Sequence, residues 1–180
     1  MDNDPDSALV ERCRNGDWAA FTELVIRYQR PIYNAAFWIL RKAEDANDIT
    51  QVVFLKVAER LDDYDSRFKF FSWIYRIAVN ESLNLLRRNG REEALDDEID
   101  LPGPDSASPE RIASEAQVSR RIQSALMSMP TNDRMVLTLR HFSECSYQEI
   151  GEILGLDEKT VKSRLFEARH RLRELLKDLR

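Results

Sequence analysis

Apolar residues recur at intervals of three and four along most of this chain, which is the spacing that gathers them on one side of an α-helix. One such stripe predicts a helix over about 45–61, and another predicts a helix over about 70–88. Before them, Asp17 can cap a helix, and Pro31 then predicts a kink or a restart. No segment alternates with period two for long enough to suggest a strand, so we expect an all-α protein.

A helix-turn-helix is predicted near the end of the chain. Ser146 and Glu149 fit a capping box, so a helix begins there, and it ends at Gly155. After the turn, Asp157 can cap a long helix. The inward stripe of that helix consists of Val161, Leu165, Ala168, Leu172 and Leu176. The shorter helices predicted before the motif lie around 118–127 and 135–139, with a stop at Pro130.

The segment 89–117 separates the two helical parts. It holds three of the six prolines and few large apolar residues, so it cannot bury a core of its own. We therefore predict two small helical domains, at 1–88 and 118–180, joined by a flexible acidic linker at 89–117. The linker has two interpretations that stay open: a passive tether, or an acidic strip that mimics nucleic acid.

The distribution of charge matters more than the net charge of -5. The linker carries 2 basic and 9 acidic residues, whereas residues 118–180 carry 12 basic and 9 acidic ones. Within the first domain, the segment 67–88 has 5 basic residues against one acidic residue. Two basic patches therefore flank an acidic strip, which favours a nucleic-acid partner for each domain.

Other features limit the class of protein. The chain has no apolar run long enough to span a membrane and no apolar leader after Met1, so we expect a cytoplasmic protein that does not insert into membranes. Cys13 and Cys145 lack metal-ligand spacing, and only two histidines could accompany them, so we expect no metal and no other cofactor. For each cysteine, inert packing is favoured over redox sensing. No phosphate-binding glycine loop or catalytic constellation is evident, so an enzyme is the least favoured class.

The long helix of the helix-turn-helix carries its chemistry opposite the apolar stripe. A second helix of this kind enters the major groove, where cations contact phosphates and a carboxylate can accept from the amine of cytosine. The face and its margins hold Lys162, Ser163, Phe166, Glu167, Arg169, His170 and Arg173. An ordinary solvated face is the alternative, but the capped motif and the excess of cations favour DNA binding.

Aromatic residues and cations are interleaved at the start of the helix predicted over 70–88. The aromatic residues are Phe68, Phe70, Phe71, Trp73 and Tyr75. Core packing accounts for some of them, and we expect Phe71 and Ile74 to face inward. A single-stranded nucleic acid needs both rings for base stacking and cations for its backbone. The candidate DNA surface is a separate polar stripe of Arg76, Asn80, Asn84 and Arg87.

Taken in order, these segments resemble the sigma-70 family of bacterial RNA polymerase sigma factors, in its small extracytoplasmic-function (ECF) group. The resemblance covers nearly the whole chain except the linker. In the first domain it rests on Asp48-Ile49-Thr50-Gln51-Val52-Val53-Phe54, Phe71-Ser72-Trp73-Ile74 and Ile77-Ala78-Val79-Asn80. In the second it rests on Met129-Pro130, Leu139-Arg140, Tyr147-Gln148-Glu149-Ile150-Gly151, Thr160-Val161-Lys162-Ser163-Arg164-Leu165 and Ala168-Arg169.

The resemblance implies a sigma factor that binds core RNA polymerase, through the clamp helices of its largest subunit and through its flap, and that reads promoter DNA. The core-binding residues that it implies are Asp48, Gln51, Phe54 and Leu55. From the residues alone, this helix face is equally a partner surface or a plain exposed face. The family also implies an anti-sigma protein as a partner, and it implies that the linker threads toward the polymerase active-site cleft.

For the promoter, the resemblance implies melting and capture of the minus-ten element by the first domain and duplex reading of the minus-thirty-five element by the second. The minus-ten residues are Arg67, Lys69, Trp73, Arg76, Asn80, Asn84, Arg87 and Arg88. The minus-thirty-five residues are Lys159, Thr160, Lys162, Ser163, Arg164, Phe166, Glu167, Arg169 and His170. The alternative function is a free-standing helix-turn-helix regulator, which would leave the aromatic residues of the first domain unexplained.

Three positions depart from the family pattern. Val52 replaces a usual acidic residue, Asn84 a common Asp, and Glu167 a frequent Arg. We hypothesise that Glu167 selects a cytosine in the minus-thirty-five element.

Overall fold

The computed structural model describes residues 6–90 and 120–177. The predicted linker at 89–117 lies outside the described residues except for Asn89 and Gly90, which follow the last helix of the first domain. None of the helices in the described ranges combines the length and the apolarity that a membrane span requires.

Four α-helices form the first domain. They are α1 (Ser7–Arg14), α2 (Trp18–Leu40), α3 (Ala43–Arg60) and α4 (Phe70–Arg88), with a single 3₁₀ turn at Leu61–Asp63. The cap predicted for α2 is present, because Asp17 Oδ1 accepts from the backbone N–H groups of Ala19 at 2.9 Å and Ala20 at 3.2 Å. Helix α1 was not predicted from the pattern, since its eight residues are too few for a clear stripe.

A kink or a restart was predicted at Pro31, and the restart is wrong. Helix α2 continues through this residue to Leu40. Proline removes one backbone hydrogen bond from a helix. Continuation is nevertheless favoured because every residue from Ala35 to Leu40 is buried, so a break would remove two apolar turns from the core.

The core of the first domain forms where α2, α3 and α4 meet. Ile49, Val53 and Val57 are buried, as their spacing predicts, and Ile74 of α4 is fully buried against them. Phe71 is only partly buried. The predicted inward face of α4 is therefore right for Ile74 and only partly right for Phe71.

The second domain also has four helices in its described part. They are α5 (residues 120–128), α6 (Thr131–His141), α7 (Tyr147–Leu154) and α8 (Glu158–Lys177). The capping box is confirmed: Ser146 Oγ accepts from the Glu149 N–H at 3.1 Å, and Glu149 Oε2 accepts from the Ser146 N–H at 2.7 Å. Gly155 ends α7 in the left-handed conformation with φ 67°, and Asp157 Oδ1 accepts from the Thr160 N–H at 2.8 Å. The helix-turn-helix is thus present.

The two domains pack against each other. Helix α2 contacts α6, and α4 contacts α7. At this junction the rings of Trp38 and Phe142 stack at 5.2 Å, and the Tyr75 hydroxyl donates to Ser143 Oγ at 3.2 Å. The predicted fold class, an all-α protein of two small helical domains, is confirmed, and the described ranges contain no strand.

The turn of the helix-turn-helix depends on a close backbone approach at Gly151. Its carbonyl accepts from the Leu156 N–H at 2.9 Å. A Cβ atom on Gly151 would lie 2.6 Å from the Leu156 carbonyl oxygen, which is too short for a real contact. Glycine therefore lets the chain return against its own helix.

We expect Gly151→Ala to destabilise the protein by about 1–3 kcal/mol, because the methyl group would press on backbone that cannot rotate away. The sign of this change in the free energy of unfolding separates the two cases, because Gly→Ala at an unrestricted helix position is stabilising by about 1 kcal/mol. Urea unfolding followed by circular dichroism measures the change. Glu152→Ala is the matched control on the same helix and should stay within about 0.5 kcal/mol of the wild type. Equal or greater stability of Gly151→Ala would contradict the close approach.

Candidate nucleic-acid interface

Helix α8 buries one side and exposes the other. Val161, Leu165 and Ala168 are buried against the rest of the second domain. Of the residues predicted to read duplex DNA, Thr160 and Arg164 are partly buried. The exposed ones are Lys159, Lys162, Ser163, Phe166, Glu167, Arg169 and His170. The structure thus brings the whole predicted set onto one helix, with a solvent-facing surface of mixed cationic, polar and aromatic character.

Two cations lie against the ring of Tyr147, the first residue of α7. The Arg140 guanidinium lies 5.2 Å from its ring centroid and the Lys162 ammonium 5.6 Å away. Arg140 also donates to the Cys145 carbonyl at 2.8 Å. Glu158 Oε1 lies 2.7 Å from Lys162 Nζ, and this carboxylate raises the pKa of Lys162. Sequence reasoning missed this arrangement, which fixes α6, α7 and α8 around the turn.

His141 of α6 borders the same surface. Its Nε2 lies 3.5 Å from Arg169 Nη2 on α8. Burial lowers the pKa of His141, and the charges of Arg169 and Arg140 lower it further. At neutral pH this imidazole is therefore uncharged, and it adds no cation to the exposed face of α8.

In the first domain, the loop that precedes α4 is held from two sides. The Tyr64 hydroxyl donates to the Phe68 carbonyl at 2.6 Å, which closes the loop on itself. Arg14 at the end of α1 donates to the carbonyls of Tyr64 at 2.5 Å and Leu61 at 3.1 Å. This role of Arg14 was missed because α1 itself was missed. The only signal in the sequence was that Arg14 is a basic residue shortly before the predicted cap Asp17.

The five aromatic residues around this loop divide between core and surface. Phe70 and Tyr75 are fully buried, and Phe70 lies 5.5 Å from Tyr64 between ring centroids. Trp73 is partly buried, with its ring 5.4 Å from Tyr64 and 5.7 Å from Phe70. Phe68 is 51% exposed. The structure therefore leaves the Phe68 ring and part of the Trp73 ring open to solvent.

Most of the polar stripe predicted on α4 is exposed. Arg76, Asn80 and Arg87 are exposed, whereas Asn84 is partly buried and accepts from Arg87 Nη2 at 2.6 Å. Arg88 at the end of the helix is also exposed. Within the described residues, the side-chain amide of Asn80 makes no hydrogen bond. Both its donor and its acceptor are therefore available to a base edge.

The two loop cations have carboxylate neighbours. Arg67 lies against Asp65 at 2.5 Å, which raises the pKa of Arg67 and lowers that of Asp65. Lys69 Nζ lies 2.9 Å from Glu149 Oε1 of the second domain. Partial burial raises the pKa of Glu149, but hydrogen bonds from Lys69 and Ser146 outweigh this effect and lower the pKa. Glu149 therefore both caps α7 and pairs with a predicted DNA-binding lysine.

A cleft of about 670 Å³ lies between the domains at this point. The first domain lines it with the loop and α4, including Trp73 and Arg76. The second domain lines it with α7 and the following turn. Part of the predicted minus-ten surface thus faces the helix-turn-helix instead of open solvent.

The surface predicted to bind core polymerase lies on α3. Asp48, Gln51 and Leu55 are exposed, with Leu55 at 62%, and Phe54 is partly buried against the core. These side chains offer a partner helix a mixed polar and apolar face away from the buried stripe. In the described ranges, no group of three or more potential ligands is arranged to hold a metal ion.

The helix-turn-helix and the second, aromatic-rich helical domain point to a DNA-binding transcription protein. Comparison with family models gives the family within this class. The family model "Sigma-70 region 2" matches residues 24–92, and the model "Sigma-70, region 4" matches residues 119–172. The chain therefore belongs to the sigma-70 family, among the ECF RNA polymerase sigma factors. The resemblance found in the sequence is confirmed.

Several relatives extend this likeness over the full length. The RNA polymerase sigma-H factor of Pseudomonas aeruginosa is 32% identical over 99% of this chain and 97% of its own. The ECF RNA polymerase sigma factor SigW of Bacillus subtilis is 32% identical over 94% of this chain and 96% of its own. The ECF RNA polymerase sigma-E factor of Escherichia coli is 33% identical over 91% of this chain and 90% of its own.

Two solved structures share the fold. CnrH in complex with the cytosolic domain of CnrY matches with a TM-score of 0.74 and 26% identity, over 96% of this chain and 97% of that one. The sigma factor RpoE in complex with the anti-sigma factor NepR, from Bartonella quintana, matches with a TM-score of 0.73 and 23% identity, over 87% and 96%.

The two cysteines should differ in reactivity. Burial, together with the charge of Glu149, raises the pKa of Cys145 to about 12, so the thiol stays protonated and inaccessible at pH 8. Cys13 is only partly buried, and burial raises its pKa as well. We expect Ellman's reagent to titrate one thiol slowly in the native protein and two after unfolding. Cys13→Ser should abolish the native reaction, and a persisting native reaction would contradict the burial of Cys145.

Proposed function

We propose that this sigma factor works through a division of labour between its two domains, with boundaries near 1–88 and 118–180 and the linker at 89–117 between them. The first domain binds core polymerase and holds the unpaired minus-ten strand, and the second reads the minus-thirty-five element as duplex. The observation that carries the proposal is the chemical contrast between the two surfaces: open rings and amides on α4 and the loop before it, and an exposed cationic helix in α8. The protein acts in the cytoplasm and catalyses no reaction itself.

The minus-ten surface suits a single strand. Unpaired bases gain about 1–3 kcal/mol each by stacking on aromatic rings, and Phe68 and Trp73 have ring surface to offer. Arg76, Arg87 and Arg88 provide cations along the exposed side of α4 for the phosphates. We infer that Arg67 and Lys69 exchange their carboxylate neighbours for phosphates when DNA binds, because a nucleic-acid strand carries a negative charge at every nucleotide.

The minus-thirty-five surface suits a duplex. Lys159 and Thr160 lie in the first turn of α8, where a recognition helix meets the major groove. Farther along, Glu167 is exposed on the same face as Ser163, one turn earlier, so its carboxylate can reach a base edge while neighbouring cations contact the backbone.

Two further surfaces fit the polymerase. We infer that the exposed α3 face of Asp48, Gln51 and Leu55 binds the clamp helices of the largest subunit, with Phe54 at its margin. An apolar groove of about 810 Å³ on the second domain fits the flap. Its lining includes Leu126, Leu137, Phe142, Leu172 and Leu176, with Arg169, Arg173 and Lys177 at the rim. This composition favours an apolar helix that carries acidic residues.

We also infer that an anti-sigma protein controls this chain. The support is the likeness to CnrH, whose solved structure contains the cytosolic domain of CnrY, over nearly the whole of both chains. The same fold occurs in a sigma factor solved with its anti-sigma factor NepR.

Run-off transcription with bacterial core polymerase tests the function directly. On a genomic promoter library, we expect specific start sites only when this protein is added.

Asn80→Ala should weaken binding of the holoenzyme to an unpaired minus-ten strand by about 3- to 10-fold, because one or two hydrogen bonds to a base are lost. Gln29→Ala, an exposed residue of α2 outside the proposed surfaces, is the control and should leave binding unchanged. In the run-off experiment with the wild type, absence of specific starts and of core binding would instead favour a free-standing regulator.

Glu167 should set one promoter base. A well-placed contact to a base edge discriminates by about 1–3 kcal/mol, or roughly 5- to 150-fold. We expect Glu167→Arg to shift the preference at one minus-thirty-five position from cytosine to guanine, as read by sequencing transcripts from a randomised promoter library. Glu174→Arg makes the same charge change later on α8 and should leave the preferred bases unaltered. An unchanged preference in Glu167→Arg would make Glu167 a bystander.

A further inference from the structure

The loop ahead of α4 is held in place by α1, a helix that carries none of the predicted DNA contacts. Arg14, the last residue of α1, donates from Nη2 to the Tyr64 carbonyl at 2.5 Å and to the Leu61 carbonyl at 3.1 Å. Its Nε also donates to the Leu61 carbonyl, at 3.3 Å. A single side chain thus binds the backbone where the 3₁₀ turn passes into the loop.

A guanidinium suits this place. Its donors lie in a planar fork, so one side chain can reach two carbonyls at once, whereas an ammonium is a point charge without a fixed direction. Glu11 Oε1 accepts from Arg14 Nη1 at 2.8 Å within α1, which leaves Nε and Nη2 for the loop. Only 23% of the Arg14 side chain is exposed, so water competes for these donors less than on an open surface. The hold on the backbone is therefore directional and specific to arginine.

Tyr64 passes this restraint on to the rings of the proposed minus-ten surface. Its carbonyl is bound by Arg14, and its hydroxyl donates to the Phe68 carbonyl at 2.6 Å. Its ring lies 5.4 Å from that of Trp73 and 5.8 Å from the Arg14 guanidinium carbon. The segment from 64 to 68 is thus fixed at both ends, and the exposed Phe68 ring follows the position of Tyr64.

Helix α1 is itself tied to α2 at both of its ends. The carboxylate of Asp6, which is only 2% exposed, accepts from Arg27 and from the Tyr28 hydroxyl. At the other end, Arg12 Nε donates to Asp17 Oδ2 at 2.9 Å, on the residue that caps α2. The end of α1 therefore has a fixed position relative to the core, from which it can hold the loop.

Positioning matters for a surface that captures unpaired bases. A base gains its stacking energy in full only on a ring that is already in place, because ordering a mobile loop on binding costs conformational entropy. Arg14 is not needed to dock α1, since Leu9 and Val10 are buried in the core. Its hydrogen bonds outside α1 go to the backbone around the loop instead.

We propose that Arg14 is a positioning residue for minus-ten recognition, which holds the carbonyls of Leu61 and Tyr64 and so sets how the loop presents Phe68 to an unpaired base. The consequence for DNA rests on the function proposed above, whereas the hold on the loop is a property of the isolated protein. Arg14 acts through Tyr64 and needs no contact with DNA.

The first test measures the loop in the isolated protein, by hydrogen exchange read by mass spectrometry. The N–H groups of Tyr64 and Phe68 donate to the carbonyls of Leu61 and Asp65, so exchange in a peptide over 62–70 reports opening of the loop. Arg14→Met keeps an apolar stem and removes the donors, and we expect faster exchange in this peptide alone. Arg60→Met is the matched control, because Arg60 pairs with the Asp63 carboxylate at 3.0 Å and not with the loop backbone. It should leave the exchange unchanged.

The second test measures recognition by the holoenzyme. A loop that adopts the competent arrangement only about a tenth of the time lowers the affinity for an unpaired minus-ten oligonucleotide about tenfold. We expect this loss in Arg14→Met and not in Arg60→Met, by fluorescence anisotropy. In a randomised promoter library, Arg14→Met should also weaken the base preference within the minus-ten element and leave the minus-thirty-five preference unaltered.

The base preference separates positioning from stability. A merely structural role would lower transcription from all promoters alike, so faster exchange with an unchanged minus-ten preference overturns the proposal, and so does exchange at the wild-type rate. If circular dichroism shows that Arg14→Met has lost helix, Arg14→Lys decides, because it keeps the charge without the fork. Wild-type exchange, affinity and preference in Arg14→Lys would then overturn the proposal. A wild type that binds no minus-ten strand would overturn the proposed function, while faster exchange in Arg14→Met would still support the hold on the loop.

Discussion

The burial of Phe70 is the interaction on which the first domain depends. Its ring is inaccessible to solvent and lies edge-on to Tyr28 of α2 at 5.6 Å and to Tyr64 of the loop at 5.5 Å. This one side chain joins the core helix, the start of α4 and the loop ahead of it. Aromatic contacts of this kind add about 0.5–1.5 kcal/mol beyond the area that they bury. The loop can therefore present Phe68 to solvent without collapsing, because its other end is fixed in the core.

Regular features of the fold were predictable because they depend on neighbours in sequence. The capping box of Ser146 and Glu149, the left-handed Gly155 and the helix over 70–88 each follow from a few adjacent residues, and all are present. The continuous α2 was not predicted. The sequence shows the local cost of Pro31, but it does not show that the turns beyond it are buried on every side.

The residues of the candidate site also fall into those that the sequence predicts and those that it does not. Exposure of Asp48, Asn80 and Glu167 follows from helical periodicity, and the structure places each on the predicted face. The roles of Arg14 and Arg134 could not be anticipated. Each donates to carbonyls more than 40 residues away in the chain, and a carbonyl carries no sequence signature. A pattern read along one helix cannot reveal which backbone a long side chain will meet.

Arg134 of α6 is buried where the two domains meet, and the chemistry of its acceptors affects how this junction can change in evolution. Trp38, Ile39, Met127 and Met129 all contribute backbone oxygen, which every amino acid possesses. Mutation at an acceptor position leaves its oxygen in place as long as the helix persists. Selection on these hydrogen bonds therefore acts on the Arg134 side chain and not on the side chains at its acceptor positions. Such a contact can be retained between relatives whose facing side chains have diverged completely.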